Sequence, residues 1–267
     1  MRKVGVSMLS NDIIRLKNAL ESVDSALFVE SKSFAESKNF AESNPIAKSK
    51  HFAESRHFAE SKLAIAFSHQ IEDTIAIDLV LKSGVARENI EVFTLDTKKL
   101  FNESLEYQAE VSHFFDIEIK PYFASDSAIL ELEKKIGEYG IYDSVENRKL
   151  CCAVRKIEPL KLALSGKIAW ISGIRIAQSI TRSDTQLVEA DKNFALTKIN
   201  PLFDWEDSKM WDYAKAQNLP INALYERGFS SIGCSICTRA IKKGEDIRAG
   251  RWWWENPNHK ECGLHQR

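Results

Sequence analysis

The sequence contains no run of about eighteen apolar residues, so a membrane-spanning helix is not expected. It also lacks a net field. Its 37 Lys and Arg against 38 Asp and Glu leave a formal charge of −1, so nothing global draws the chain to nucleic acid. The opening stretch, "MRKVGVSMLSNDIIRLKNAL", is basic but has no continuous apolar stretch and no small-residue cleavage site, so no signal peptide is read there. The expected compartment is the cytoplasm, where thiols stay reduced. Cysteine is scarce and odd in number, with five in 267 residues. Disulfides explain that count poorly in a reducing compartment, and four plus one is the arithmetic to test.

What is present reads as a globular chain, long enough for one large α/β domain or two small ones. Residues 1–30 are expected to form an N-terminal helical segment. Residues 31–62 carry a repeat in which Phe34, Phe40, Ile46, Phe52 and Phe58 recur at every sixth position. Six steps of about 100° spiral these side chains around a helix rather than lining them up. The Ser, Lys, Glu and Asn content argues against a long strand. The expectation is an inserted segment, mobile or weakly helical, with partner docking as the alternative.

After Lys62 the pattern becomes regular. "LAIAFS" (Leu63–Ser68), "IEVFTLD" (Ile90–Asp96), "DIEIKPYF" (Asp116–Phe123) and "IAWISG" (Ile168–Gly173) read as strands. Helical spacing separates them, from Ile71 to a stop at Gly84, over Leu100–Phe114 and over Ala128–Tyr139. Strands alternating with helices predict a doubly wound parallel α/β sheet over residues 63–267. Ligands in such sheets bind at the carboxyl ends of the strands. The first of those ends carries Ser68 to Asp73. It has no glycine and is not a Walker A loop, so it reads either as a phosphate-binding turn or as an ordinary capped turn. The second carries Thr94 and Asp96, where Asp96 holds a ribose hydroxyl or caps the next helix. The fourth leads to Arg175 and Arg182, a side-chain type that suits phosphate or sulfate. From Val145 to Arg182 there are eight Lys or Arg against two Glu, which fits a solvated helix face or an anionic ligand.

The adjacent pair Cys151 and Cys152 and the C-x-x-C pair Cys234 and Cys237 make four soft ligands, suited to an iron–sulfur cluster or zinc. Neighbouring cysteines are awkward for one tetrahedral ion and easier for a cubane with separate iron corners. A redox-active C-x-x-C remains a third reading. The fifth cysteine, Cys262, lies in the terminal "KECGLHQR". A free thiol is only about 3% thiolate at pH 7, a fraction that nearby cations raise. It is read as a nucleophile or as a stray thiol.

The stretches "FTLDTKKLF", "CCAVRKIEPLKLAL", "AWISGIRIAQSITR", "KINPLFDW", "SIGCSICTRAIKKGEDIRAGRWWWE" and "ECGLH" closely resemble the assimilatory sulfonucleotide reductases, which act on adenylyl sulfate or its 3′-phosphorylated form. The resemblance covers roughly Leu63 to His265. It implies an adenine nucleotide alpha hydrolase-like version of the doubly wound fold, with a mobile cysteine-bearing tail. It implies a [4Fe–4S] cluster on Cys151, Cys152, Cys234 and Cys237, in the branch that generally uses adenylyl sulfate. It further implies that Cys262 attacks sulfur, that AMP leaves, and that thioredoxin or glutaredoxin then releases sulfite. Lys156, Arg182, Arg248, Arg251 and His265 match positions at or near the sulfonucleotide. The adenine and ribose are expected over Ser68, Asp73 and the Thr94–Asp96 segment. Relatives commonly form dimers or tetramers, which makes a homo-oligomer the expectation. One departure stands out. His69, Gln70 and Ile71 occupy loop positions where the family usually has small residues. The 3′-phosphorylated substrate, and a zinc-stabilised binding module without catalysis, stay open as alternatives.

Overall fold

The structure, a computed structural model, describes residues 2–28 and 62–256. All of the repeat except Lys62, and the chain end with Cys262 and His265, lie outside the described residues. Helix α1 (Arg2–Val23) leads into a short turn at Ser25–Phe28. Strand β1 (Leu63–Ala66) is followed by α2 (Ile71–Lys82), β2 (Ile90–Leu95), α3 (Asn102–Phe115), β3 (Ile119–Tyr122) and α4 (Asp126–Ile136). A long helical run comes next. It comprises α5 (Val145–Cys152), a π turn (Ala153–Ile157) and α6 (Glu158–Leu164). Strand β4 (Ala169–Ile171), a hairpin of β5 (Val188–Asp191) and β6 (Leu196–Ile199), and α7 (Asp207–Ala216) complete the order. Among the described residues no helix is long and apolar enough to cross a membrane.

The six strands lie in the order β3-β2-β1-β4-β6-β5, all parallel except the edge strand β5. Alternation along β1 splits its side chains between two layers. Leu63 and Ile65 face a core shared with Leu16 and Leu20 of α1, Ile75 and Leu79 of α2, and Tyr107 and Val111 of α3. Ala64 faces the other way, with Phe93 and Trp170, onto Leu160, Ala163 and Leu164 of α6. The N-terminal helix is therefore part of the main core. Its continuation is pinned as well, since the Leu27 carbonyl accepts from the Ala86 N–H at 2.9 Å and from Asn89 Nδ2 at 3.1 Å.

Strand order decides where a ligand can sit. The chain runs from β1 outward to β3, then returns to place β4 on the other side of β1. The segments leaving β1 and β4 thus diverge, and a crevice opens between their carboxyl ends. The approach there is tight. A Cβ on Gly173, just past β4, would lie 2.6 Å from Asp73 Oδ1 and 3.0 Å from Glu72 Cβ. Glycine lets β4 abut the start of α2.

Candidate active site

The crevice is an open cleft of about 1010 Å³, the solvent space at its mouth included. Ser68, Asp73, Thr94, Lys156, Arg182, Arg248 and Arg251 all line it. Seven of the sequence-derived site residues are thus brought together from five separate stretches of chain.

The first loop is braced from within. Asp73 Oδ2 accepts from the Ser68 N–H at 2.7 Å and from Ser68 Oγ at 2.6 Å. Burial is the main cause that raises the Asp73 carboxyl to about 7, partly offset by those bonds. His69 takes φ 67, the left-handed region that glycine enters most easily and that histidine enters more readily than most other side chains. Its ring is buried edge-on against Phe67 at 5.0 Å and bonds Gln108 through Nε2 at 3.0 Å. Burial holds that imidazole below the usual histidine range. Gln70 reaches the last part of the chain, accepting from the Ile232 N–H at 3.2 Å. The Tyr225 hydroxyl accepts from the Ile71 N–H at 3.2 Å, satisfying one of the free donors at the start of α2. The unusual loop residues therefore serve to tie the loop to α3 and to the C-terminal segment.

Thr94 Oγ1 is buried in the cleft without a hydrogen-bond partner among the described residues, so the wall offers a polar group to a ligand. Asp96 is not among the lining residues. Its carboxylate accepts from the Lys98 N–H at 2.8 Å and pairs with Lys98 Nζ at 3.0 Å, a local turn short of α3, whose cap position is Phe101. Arg175 does not line the cleft either. It is fully buried behind it, bonded to Glu72, to Asp207 Oδ1 at 2.6 Å and to the Trp205 carbonyl at 2.9 Å. The expectation that Arg175 meets an anion at the strand end is corrected. Its position in the sheet is as read, but its guanidinium points into the protein.

Behind the cleft, Cys151, Cys152, Cys234 and Cys237 line one small cavity, joined by Arg148, Arg155, Lys156, Arg251 and Trp252. None is in a disulfide. Two cysteines end α5, where a π turn follows at once and carries Arg155 and Lys156. Such turns re-aim side chains within a helix. Of the other two, Cys234 precedes and Cys237 ends a short turn at Ser235–Cys237, where the Ser235 N–H donates to the Lys99 carbonyl at 2.7 Å. Among the described residues no three His, Cys, Asp or Glu side chains are arranged to hold a single metal ion. The thiols ring a cavity rather than converge on a point. Burial raises the Cys151 thiol, and pushes Cys237 up to about 12 with help from the neighbouring Cys234. Three buried cysteines and the half-buried Cys151 can be thiolates together only if a cationic group takes up their charge. Thr97 Oγ1 lies 3.2 Å from Cys234 Sγ.

The two cavities share a wall. Lys156, Cys234, Arg251 and Trp252 line both. The Arg251 guanidinium lies so close to Gly233 that a Cβ there would come within 2.5 Å of it. Arg148 and Arg251 stand 4.7 Å from the Trp252 ring. Arg148 also grips Glu255 through Nε at 2.9 Å and Nη2 at 2.7 Å. Sequence reasoning passed over Arg148, Gln178, Gly233 and Glu255. Each acts through a contact with a residue distant in the chain, so no local pattern marks it.

A family model for the phosphoadenosine phosphosulfate reductase domain matches residues 62–240. The adenosine 5′-phosphosulfate reductase of Allochromatium vinosum is 47% identical over 194 residues, which span 72% of this chain and 76% of that protein. The protein of the same name from Neisseria meningitidis serogroup A is 44% identical over 202 residues, 75% of this chain and 82% of the relative. Among solved structures, the phosphoadenylyl-sulfate reductase of Candida auris, in a phosphate complex, superposes with a TM-score of 0.53 at 19% identity, covering 77% of this chain and 97% of that one. That likeness bears on the fold, and it agrees with the doubly wound sheet. On the extent of the model match and the identity of these relatives, the chain belongs to the phosphoadenosine phosphosulfate reductase family.

Proposed function

We propose that the chain reduces adenylyl sulfate to sulfite and AMP, with electrons from a thiol donor, in sulfate assimilation. The observation that carries this reading is the shared wall, with the strand-end cleft on one side of Lys156, Cys234, Arg251 and Trp252 and the four-cysteine cavity on the other. The names of the relatives support adenylyl sulfate as the substrate.

The nucleotide lies at the carboxyl ends of β1, β2 and β4, with the braced Ser68–Asp73 loop beneath it and Thr94 Oγ1 beside it. Lys156, Arg182, Arg248 and Arg251 gather around its anionic end, where they disperse charge on the sulfate and phosphate oxygens. Cys262, delivered by the chain end with His265, attacks the sulfur as a thiolate. The S–O bond to AMP breaks, AMP leaves with the electron pair, and Cys262 carries an S-sulfonate. A donor thiolate then attacks the Cys262 sulfur. Sulfite departs with its electron pair, and a mixed disulfide remains. The donor's second thiol resolves that disulfide and returns Cys262 to the thiol form. A small dithiol protein such as thioredoxin or glutaredoxin supplies both thiols, and this demands a reducing compartment such as the cytoplasm.

Cys151, Cys152, Cys234 and Cys237 hold a [4Fe–4S] cluster in this reading. The donor set is all sulfur, and as thiolates the four would need cationic charge beside them. Trp252 Nε1 is a buried donor without a partner among the described residues, and its residue lines the same cavity. A group with several metal corners suits thiols that ring a space. When bound, the cluster would supply a fixed charge near the cleft, and Lys156 lines both cavities.

The test uses enzyme purified without oxygen. Wild type is expected to be brown, to contain iron and acid-labile sulfide, and to take radioactive sulfur from adenylyl sulfate in a single turnover. Cys262→Ser should keep the iron and bind AMP but take no label. Sulfite production by that variant at the normal rate would overturn the nucleophile. A colourless zinc protein would instead favour a binding module. Parallel assays with the 3′-phosphorylated nucleotide read the substrate preference.

A further inference from the structure

Arg182 lines the cleft, yet it reaches there from a short turn at Ile180–Arg182, a weak platform for a group that must meet an anion. The side chain that steadies it is Gln178, whose carbonyl Oε1 accepts from Arg182 Nη1 and, at 3.0 Å, from the Arg175 N–H. The amide nitrogen of Gln178 donates to Glu72 Oε1 at 2.8 Å. Glu72 is buried at the start of α2, where the helix end favours negative charge. The same Oε1 accepts from Arg175 Nη2 at 3.0 Å and Nε at 3.3 Å.

This arrangement has a polarity. A Gln amide can be placed either way round, and its neighbours decide which. Here a carboxylate lies on one side, and on the other an Arg side chain and a backbone N–H. Turning the amide over would set oxygen against oxygen and N–H against N–H at every contact. Glu72 therefore dictates that the Gln178 carbonyl faces Arg182.

We infer that Glu72 and Gln178 are positioning residues that aim Arg182 at the anionic end of the substrate, with the buried carboxylate setting the direction of the amide. The inference rests on the proposed reduction of adenylyl sulfate. Glu72 and Gln178 also line the cleft, so the relay is continuous from the rear of the sheet to the ligand space. Its far end is Arg175, held in turn by Asp207 and the Trp205 carbonyl.

The test compares KM and kcat for adenylyl sulfate, together with calorimetric affinity, in the cluster-loaded enzyme and four variants. Gln178→Leu removes all three contacts of the amide. It should raise KM and the dissociation constant about tenfold, the effect of losing one charge-assisted hydrogen bond, with kcat lowered far less. Gln178→Glu still accepts from Arg182 but sets a second carboxylate against Glu72, and should also raise KM. Arg182→Met and Gln178→Leu/Arg182→Met complete a cycle: once Arg182 is gone, Gln178→Leu should change KM by less than about threefold, because the amide acts through that side chain. A merely structural role would lower the melting temperature without the split between KM and kcat, and would cost as much with Arg182 absent as with it present. An unchanged KM in Gln178→Leu, or a full further rise in KM when Gln178→Leu is added to Arg182→Met, overturns the inference. Wild type that neither binds nor reduces adenylyl sulfate overturns the functional reading itself. The two failures are therefore distinct.

Discussion

Glu255→Ala tests how the wall between cleft and cysteines is held. The Arg148 and Glu255 side chains are 1% and 3% exposed, and two hydrogen bonds join them at 2.9 and 2.7 Å. Removing the carboxylate takes the ion-pair partner and both of its bonds from a guanidinium buried against Trp252 and beside Cys152. Breaking a buried pair on one side costs about 3–5 kcal/mol. At about 2–4 °C per kcal/mol for a domain near this size, the melting temperature should fall by about 6–20 °C. The pair itself is a different matter, because its attraction is set against the desolvation of both ions. Arg148→Met/Glu255→Met removes both charges and fills the space. It should recover most of the loss, short by about 0.5–2 kcal/mol for the missing cation–π contact with Trp252. The assay is thermal unfolding followed by circular dichroism, without oxygen, with iron content measured alongside. Two results would refute the reasoning. One is a Glu255→Ala midpoint within about 2 °C of wild type, since a single broken buried pair must cost more. The other is a double variant whose loss equals the sum of the single losses, which would mean the two groups do not interact.

Two further variants probe the floor of the cleft. The Asp73 carboxyl titrates at about 7 in the fold against an ordinary 3.8, so the native state holds a proton that the unfolded chain releases over that interval. Stability from this group is greatest below the ordinary value and declines as pH rises to about 7. Asp73→Asn, which can still accept from Ser68, should flatten the fall in melting temperature between those limits, and an identical pH profile would remove burial as the cause. In Gly173→Ala the added methyl would meet Asp73 Oδ1, Glu72 Cβ and, at 3.1 Å, the Glu72 carbonyl carbon. Overpacking of this kind costs about 1–3 kcal/mol and should separate α2 from β4, so calorimetry is expected to find weaker AMP binding. Unchanged affinity and melting temperature would show that the crevice tolerates widening.

Much of this architecture could be read from neighbouring residues. The apolar runs at Leu63, Ile90 and Ala169 are the strands β1, β2 and β4, and the helix expected from Ile71 runs to Lys82. Those elements are encoded by side chains two to four positions apart, so the pattern is local. The β5–β6 hairpin was not legible. Val188–Asp191 is a half-exposed edge strand with two acidic residues, and Leu196–Ile199 contains a lysine. Such segments become strands because a partner offers a ladder, as Val188 pairs with Ile199, rather than through a strong pattern of their own. The long helix from Val145 to Leu164 was likewise unread. It carries the cysteine pair and changes its turn midway.

The site divides in the same way. Residue chemistry and spacing singled out the two cysteine pairs and the strand-end Thr94 and Arg182, while the resemblance to the sulfonucleotide reductases added Lys156, Arg248 and Arg251. Tertiary structure decided which of them meet. It brought Cys234 beside Cys151 and set Lys156 between two cavities, while it turned Arg175 inward and Asp96 toward Lys98. The reason is that a side chain's type and its place on a helix or strand follow from its neighbours, whereas its direction in space depends on packing with residues far along the chain. The crevice exists only because β4 returned to the other side of β1, and no stretch of sequence contains that fact by itself.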